Sequence, residues 1–513
     1  MHQTINRPLA LIILDGWGVA PSGPGNAISV ACTPFYDEIC RKYPGTTLTA
    51  AGERIGIAPG HAGNAEVGHL NLGTGRAFET DAVRIDRAIA SGSFFENPVL
   101  GAAIASATER DVDLHLIGLL SDSGIHSSPE TLYALLRMAK RAGAKKVFVH
   151  AVLDGRDVLP RTADVYLEAL EIKMVDIGVG CLATLCGRFF AMDSGENWER
   201  TARAFTMLMH AEGERARDAV VAVRNSFLRG ISEEFMAPVV LEEEAGAPVA
   251  TIKAGDVIVF FNHRADTMRQ LARSVAVPEV GQPVAGKPRV EAVCMTEYER
   301  SFGLPVAFEP ELTSEVLASI LAERNIPNYR IAENDRFPHV TQFFNGGSEL
   351  RSQYEMHLPV ALSRAVYRET DPEMASFKVA DRVLRTIDSD PCGVFVINLS
   401  AGDLVAETGN LEKTVEAVQF VDTCLGGIVE RICEIGGTTL VTSSHGNCEE
   451  MKDASGEPMR SSTSNDVPFI LVDDNLVGQK LRSGTLADVA PTMLGILGIE
   501  KPVEMTGVDL RIG

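Results

Sequence analysis

One pattern constrains this chain more than any other: a short, unbroken apolar run followed at once by a cluster of Gly, Asp, Arg, His or Asn. Leu9–Leu14 leads to DGWG, Leu114–Leu120 to SDSGIHSS and Val147–Leu153 to DGRD. Residues 257–261 lead to NHRAD, 394–398 to LSAGD and 439–442 to SSHGN. Runs this short, rich in Val, Ile and Leu, suit strands buried on both faces of a parallel sheet. Helical stretches such as 129–142 and 411–435 lie between them. The alternation predicts an α/β fold with mostly parallel sheets, whose ligands sit beyond the carboxyl ends of the strands. The polar clusters fall at those ends. One such cluster alone reads as a turn, but six in the same place read as a site.

Composition narrows the partners. The 513 residues are 45% hydrophobic and 23% charged, enough for large cores without disulfide support. With 47 basic and 69 acidic residues the net charge is −22, spread along the chain, which argues against nucleic-acid or anionic-membrane binding. An anionic substrate therefore needs a local Arg cluster. The nine cysteines are odd in number, scattered and without a CxxC, as expected of reduced thiols used as small core residues in the cytoplasm. Leu9–Leu14 is too short to span a membrane and lacks the basic flank of a signal peptide. The expectation is a cytoplasmic monomer with no organic cofactor, acting on a small acid. Segments 73–80 and 304–311 read as linkers.

The most distinctive stretch is 60–76, GHAGNAEVGHLNLGTGR, where five glycines would let backbone approach an anion closely. It resembles the nucleophile loop of the cofactor-independent phosphoglycerate mutase family, in the alkaline phosphatase superfamily, whose pattern is GNSEVGH then LNLGAGR. The resemblance continues in family order along almost the whole chain. It takes in LIILDGWG (11–18), NAI (26–28), SDSGIHS (121–127), LDGRD (153–157), GRFFAMD (187–193) and EEFMAP (233–238). FFNHRAD (260–266), HVTQFFNGG (339–347) and TSSHGN (442–447) complete it. It implies an alkaline-phosphatase-like metal-site domain, 1–79 with 312–513, into which an α/β substrate-binding domain, 80–311, is inserted. It also implies two Mn²⁺ ions that activate a Ser to carry the phosphoryl group between glycerate hydroxyls.

The departures from the family are as informative as the matches. The nucleophile position is Ala65, and a methyl group cannot attack phosphorus. Asp15, Asp403 and His445 match metal ligands. The family's His is Glu407 at one ligand position, its Asp is Ser444 and another His is Ser462. That remainder predicts one Mn or Mg ion at most, held by some combination of Asp15, Asp403, Glu407 and His445, or none. On the substrate side His126 and Asp157 match acid–base residues, and Arg156, Arg188 and Arg264 match anion-binding residues. Ser194 and Thr267 replace two family arginines, and Arg336 replaces a Lys.

Two classes of function follow. The first is an enzyme that has left the phosphoserine reaction and transfers a phosphoryl or phosphonyl group to or from a glycerate-type acid, as in phosphonate metabolism. The second keeps the family identity: either a mutase carrying a Ser-to-Ala change, or a non-catalytic relative that binds a phospholigand.

Overall fold

Leu9–Leu14 is a strand buried at every residue, as six consecutive apolar side chains require. It pairs in parallel with Val394–Leu399 on one side and Thr438–Thr442 on the other. The computed structural model describes residues 7–277, 288–310, 314–348, 351–361, 371–453 and 455–512, so the expected boundary at 311–312 lies outside the described residues. The chain forms two compact units, Met1–Thr80 with Leu312–Gly513, and Asp81–Glu311.

The first unit is built on an eight-stranded sheet. Its spatial order is Glu355–Val360, Asn328–Glu333, Val394–Leu399, Leu9–Leu14, Thr438–Thr442, Val467–Val472, Gly45–Thr49 and Gly484–Thr485. The first five run parallel, and Val467–Val472 is antiparallel to both its neighbours. The long helix Leu411–Glu434 covers one face. Its buried positions, Ala417, Val418, Val421, Leu425, Ile428 and Ile432, recur at three- and four-residue spacing and form a single stripe. Asn410 caps its start by accepting from the Lys413 amide. Truncating the fully buried Leu425 to Ala would cost about 2–5 kcal/mol.

The second unit has its own eight-stranded sheet. Val306–Phe308, Glu291–Thr296, Val257–Phe260, Leu114–Leu120, Val147–Leu153 and Cys181–Gly187 run parallel in that order. Val239–Leu241 then joins antiparallel and Glu214–Ala216 closes the edge. The amphipathic helix Pro129–Arg141 buries Leu132, Leu135, Leu136 and Ala139 against this sheet's core.

All six apolar runs are strands, and the two α/β units with mostly parallel sheets match the expected class. The cysteines correct one expectation. All nine are free, but only Cys186, Cys294, Cys424 and Cys448 are buried, while Cys32, Cys40, Cys181 and Cys392 are exposed. No helix among the described residues is long and apolar enough to cross a membrane.

Candidate functional site

Each sheet ends in a polar cluster at the carboxyl ends of four adjacent parallel strands, where side chains and loop amides converge without competing for ladder bonds. In the first unit these strands are Asn328–Glu333, Val394–Leu399, Leu9–Leu14 and Thr438–Thr442. Asp15 follows Leu14 directly and is buried. Asn398 Nδ2 donates to its Oδ2 at 2.7 Å, and the Ser444 hydroxyl donates to its Oδ1. Burial would raise the Asp15 pKa, but His69, Arg336 and His445 outweigh it and hold the group below the ordinary carboxylate value.

Asp403 lies in the short helix Ala401–Ala406 after Val394–Leu399. Its Oδ1 accepts from Asn447 Nδ2 at 2.8 Å and faces His445 Nε2 at 3.1 Å. Its Oδ2 accepts from Arg336 Nη2 at 2.7 Å, and the same nitrogen reaches Glu407 Oε1 at 3.0 Å. Burial opposes the charge of Asp403, yet His445, Arg336 and Asn447 hold its pKa well below the usual range. Burial works against Arg336 too, and the facing carboxylates more than restore its charge.

The proton inventory fixes His445. Ser444 has one proton and gives it to Asp15, so His445 Nδ1, 2.8 Å from the Ser444 oxygen, must donate. Its Nε2 faces a carboxylate and donates as well. Both ring nitrogens of His445 thus face oxygens that accept, an arrangement that favours the imidazolium. Its pKa is raised accordingly: burial pulls it down, and Asp403 pulls it up further.

Ala65 is the first residue of the helix Ala65–Thr74, capped by Asn64, and is buried. Gly68 and Gly73 of this segment serve close packing. A Cβ at Gly68 would overlap the backbone oxygen of Ser444, and one at Gly73 that of Phe344. They let the helix touch neighbouring backbone rather than a ligand. Ser462 lies half-buried on the loop before Val467–Val472.

In the second unit the strands are Val257–Phe260, Leu114–Leu120, Val147–Leu153 and Cys181–Gly187. Arg188, directly after the last of these, is 5% exposed and forms the centre. Its Nη1 donates to Asp154 Oδ1 at 2.7 Å and also bonds Asp157. Its Nη2 lies 2.9 Å from His126 Nε2. Burial would lower the Arg188 pKa, and Asp157 and Asp154 raise it. Burial, then Arg188 and Arg264, push His126 down to about 3. The amides of His263 and Arg264 both donate to the His126 carbonyl, tying two strand-end loops together. Arg264 pairs with Asp266 at 3.0 Å, and Arg156 pairs with Glu234 at 2.6 Å. Ser194 is exposed. Arg336 belongs to the first unit, apart from the other three arginines in the chain's division.

Sequence reasoning missed Asp154, which also accepts from Ser121 Oγ at 2.6 Å and the amides of Arg156 and Asp157. It also missed His69 and Asn398. All but Asn398 stood inside quoted motifs, and a buried polar residue within an apolar strand is a signal that could have flagged Asn398. A third cluster was unforeseen. Asp113, His115 and Asp256 bring their ligand atoms within 4.8 Å of one another at the amino ends of the second unit's strands. His115 Nε2 is 3.2 Å from Asp256, its Nδ1 is 2.9 Å from His150 Nε2, and His150 Nδ1 is 2.9 Å from Thr184.

The first unit's donors do not fit a two-ion centre. Both oxygens of Asp15 and of Asp403 accept bonds from this chain, both ring nitrogens of His445 face accepting oxygens, and a guanidinium already bridges two of the three carboxylates. Positions 65, 444 and 462 offer a methyl and two neutral hydroxyls. None of these replaces the carboxylate or imidazole donors that a divalent ion needs there.

The chain is thus an α/β protein with two strand-end polar sites on mostly parallel sheets, one rich in carboxylates and one centred on a buried arginine. The family model described as the BPG-independent PGAM N-terminus matches residues 85–300. A 2,3-bisphosphoglycerate-independent phosphoglycerate mutase of Moorella thermoacetica is 44% identical over 514 residues, covering 100% of both chains. A protein of the same name from Desulforudis audaxviator is 43% identical, covering 98% of this chain and 99% of that one. A crystal structure of Leishmania mexicana phosphoglycerate mutase at low cobalt concentration is similar at TM-score 0.82 and 27% identity, over 99% of this chain and 98% of that one. The chain belongs to the 2,3-bisphosphoglycerate-independent phosphoglycerate mutase family.

Proposed function

We propose that this chain binds phosphoglycerate-type acids and does not pass phosphate through a phosphoserine. The observation that carries this reading is the pairing of an intact cluster, Arg188 with Asp154, Asp157 and His126, with a methyl group at position 65. Arg188 is preorganised by two carboxylates, so it meets an anion without losing side-chain freedom on binding. Arg156 and Arg264 are more exposed and can turn from their carboxylate partners towards a ligand. His126 has its one lone pair engaged by Arg188, so it serves as an anchor in this arrangement rather than as a free base. The relatives are named for phosphoglycerate, and none of their names points to phosphonyl transfer, so that expectation is withdrawn.

Thermal unfolding with 2- and 3-phosphoglycerate tests the binding. Both should raise the melting temperature with dose, as mass action requires of a native-state ligand. Losing a charge-assisted bond costs roughly 1.5–3 kcal/mol, so Arg264→Ala should weaken binding about tenfold or more. Phosphorus NMR on 3-phosphoglycerate should show no conversion. A second reading, a working mutase, is favoured by 44% identity over the whole length. Rapid formation of 2-phosphoglycerate would establish it, and absence of any thermal shift would remove the binding proposal.

A further inference from the structure

The end of the first unit's sheet gathers three carboxylates, Asp15, Asp403 and Glu407, in one connected set of bonds with a single guanidinium at its centre. Arg336 stands in the short turn Asn334–Arg336 and its side chain is 12% exposed. One of its nitrogens reaches Asp403 at 2.7 Å and Glu407 at 3.0 Å, joining segments 67 and 71 residues away. Asp15 and Asp403 are buried and Glu407 lies at the exposed rim; the two buried charges repel one another unless a cation sits among them. A guanidinium meets that need with hydrogen bonds of defined direction and asks for no open coordination positions. The unpartnered acceptors nearby, Asn398 Oδ1 and Asn447 Oδ1, are neutral amide oxygens and add no charge to balance a divalent ion.

We infer that Arg336, beside His445, supplies the resident positive charge of this site, bridging Asp403 and Glu407 in place of a divalent ion, so that the unit holds its fold without metal. The inference concerns the first unit alone and stands whether or not phosphoglycerate binds. Its test therefore uses no phosphoglycerate.

The full chain is stripped with chelator, incubated with Mn²⁺, desalted and analysed for metal, and its thermal unfolding is followed in chelator and in Mn²⁺. Wild type should retain no stoichiometric Mn²⁺ and should melt at the same temperature in both. Arg336→Met keeps the length and removes the charge. It should melt lower than wild type in chelator and recover with Mn²⁺ in a dose-dependent way, because the freed carboxylates then need another cation. One or more Mn²⁺ retained per wild-type chain, or a wild-type melting temperature raised by Mn²⁺, would overturn the inference. So would an Arg336→Met protein that folds but shows neither the loss nor the recovery. Should that variant fail to fold, the wild-type metal content and melting comparison decide.

Discussion

Arg188 Nη2 lies 2.9 Å from His126 Nε2, and because arginine only donates, the histidine must accept there. The ring is therefore neutral, with its proton on Nδ1, and that proton points to Thr267 Oγ1 at 3.1 Å. Thr267 stands where the family resemblance leads one to expect an arginine, so its hydroxyl has become the partner that sets the tautomer.

Removing Arg188 should cost stability as well as binding. Arg188→Met would leave Asp154 and Asp157 facing each other with their cation gone. Breaking a buried pair in this way costs about 3–5 kcal/mol. Urea unfolding should show that loss, with the denaturant slope unchanged. A loss below about 1 kcal/mol would mean that solvent reaches the two carboxylates.

Acid should weaken the second unit through His150. Burial, then His115, hold its pKa well below 6.5, so the folded ring is neutral while the unfolded one gains a proton. The unfolded state then binds more protons below pH 6.5. The stabilisation is fully present above that pH and falls by about 1.4 kcal/mol per pH unit beneath it until the folded pKa is reached. His150→Gln retains an amide donor toward His115 without a titrating proton. Its stability should fall less steeply between pH 6.5 and 5 than that of wild type. Parallel slopes for the two proteins would contradict this.

Ala65→Ser alone should not create mutase activity. The new hydroxyl would lack an activating metal, since Arg336 bridges Asp403 and Glu407 and Ser444 is bonded to Asp15. Nucleophilic catalysis needs an activated group, not merely an oxygen in place. Intact-mass spectrometry after incubation with 3-phosphoglycerate and Mn²⁺ should find no added phosphate. A phosphorylated variant with full turnover would show the rest of the site to be competent.

Gly68→Ala should destabilise the first unit. The added methyl would overlap the Ser444 backbone oxygen, a neighbour held on both sides by its strand-end loop. Overpacking of this kind costs about 1–3 kcal/mol. Chemical denaturation measures it directly. Gly60→Ala makes a useful control, because nothing lies within 4 Å there, although its φ of +79° adds backbone strain of its own.

The apolar runs were legible because a strand buried on both faces has nothing else to display. Gly45–Thr49 was not, since four of its five residues are partly or fully exposed and it carries no apolar run. Cys181–Gly187 was hidden by its mixture of Cys, Thr, Ala and Gly, although six of its seven residues are buried. Family motifs led to Asp15, Asp403 and Arg188, but not to the partners that decide their state. Asn398 donates to Asp15 across 383 residues, and Arg336 meets Asp403 across 67. Such pairings depend on strand order, which local pattern does not encode.

The contact between Gly68 and the Ser444 backbone has a consequence for how position 65 should be regarded. The Asn64 cap and the close fit one turn into the helix, not any reaction, hold the place where that helix begins. The address outlasts its occupant. Whatever side chain is installed at 65 will start from the same point on the same framework, so a series of substitutions there compares chemistries at constant geometry, as exchanging one reagent in a fixed cell would.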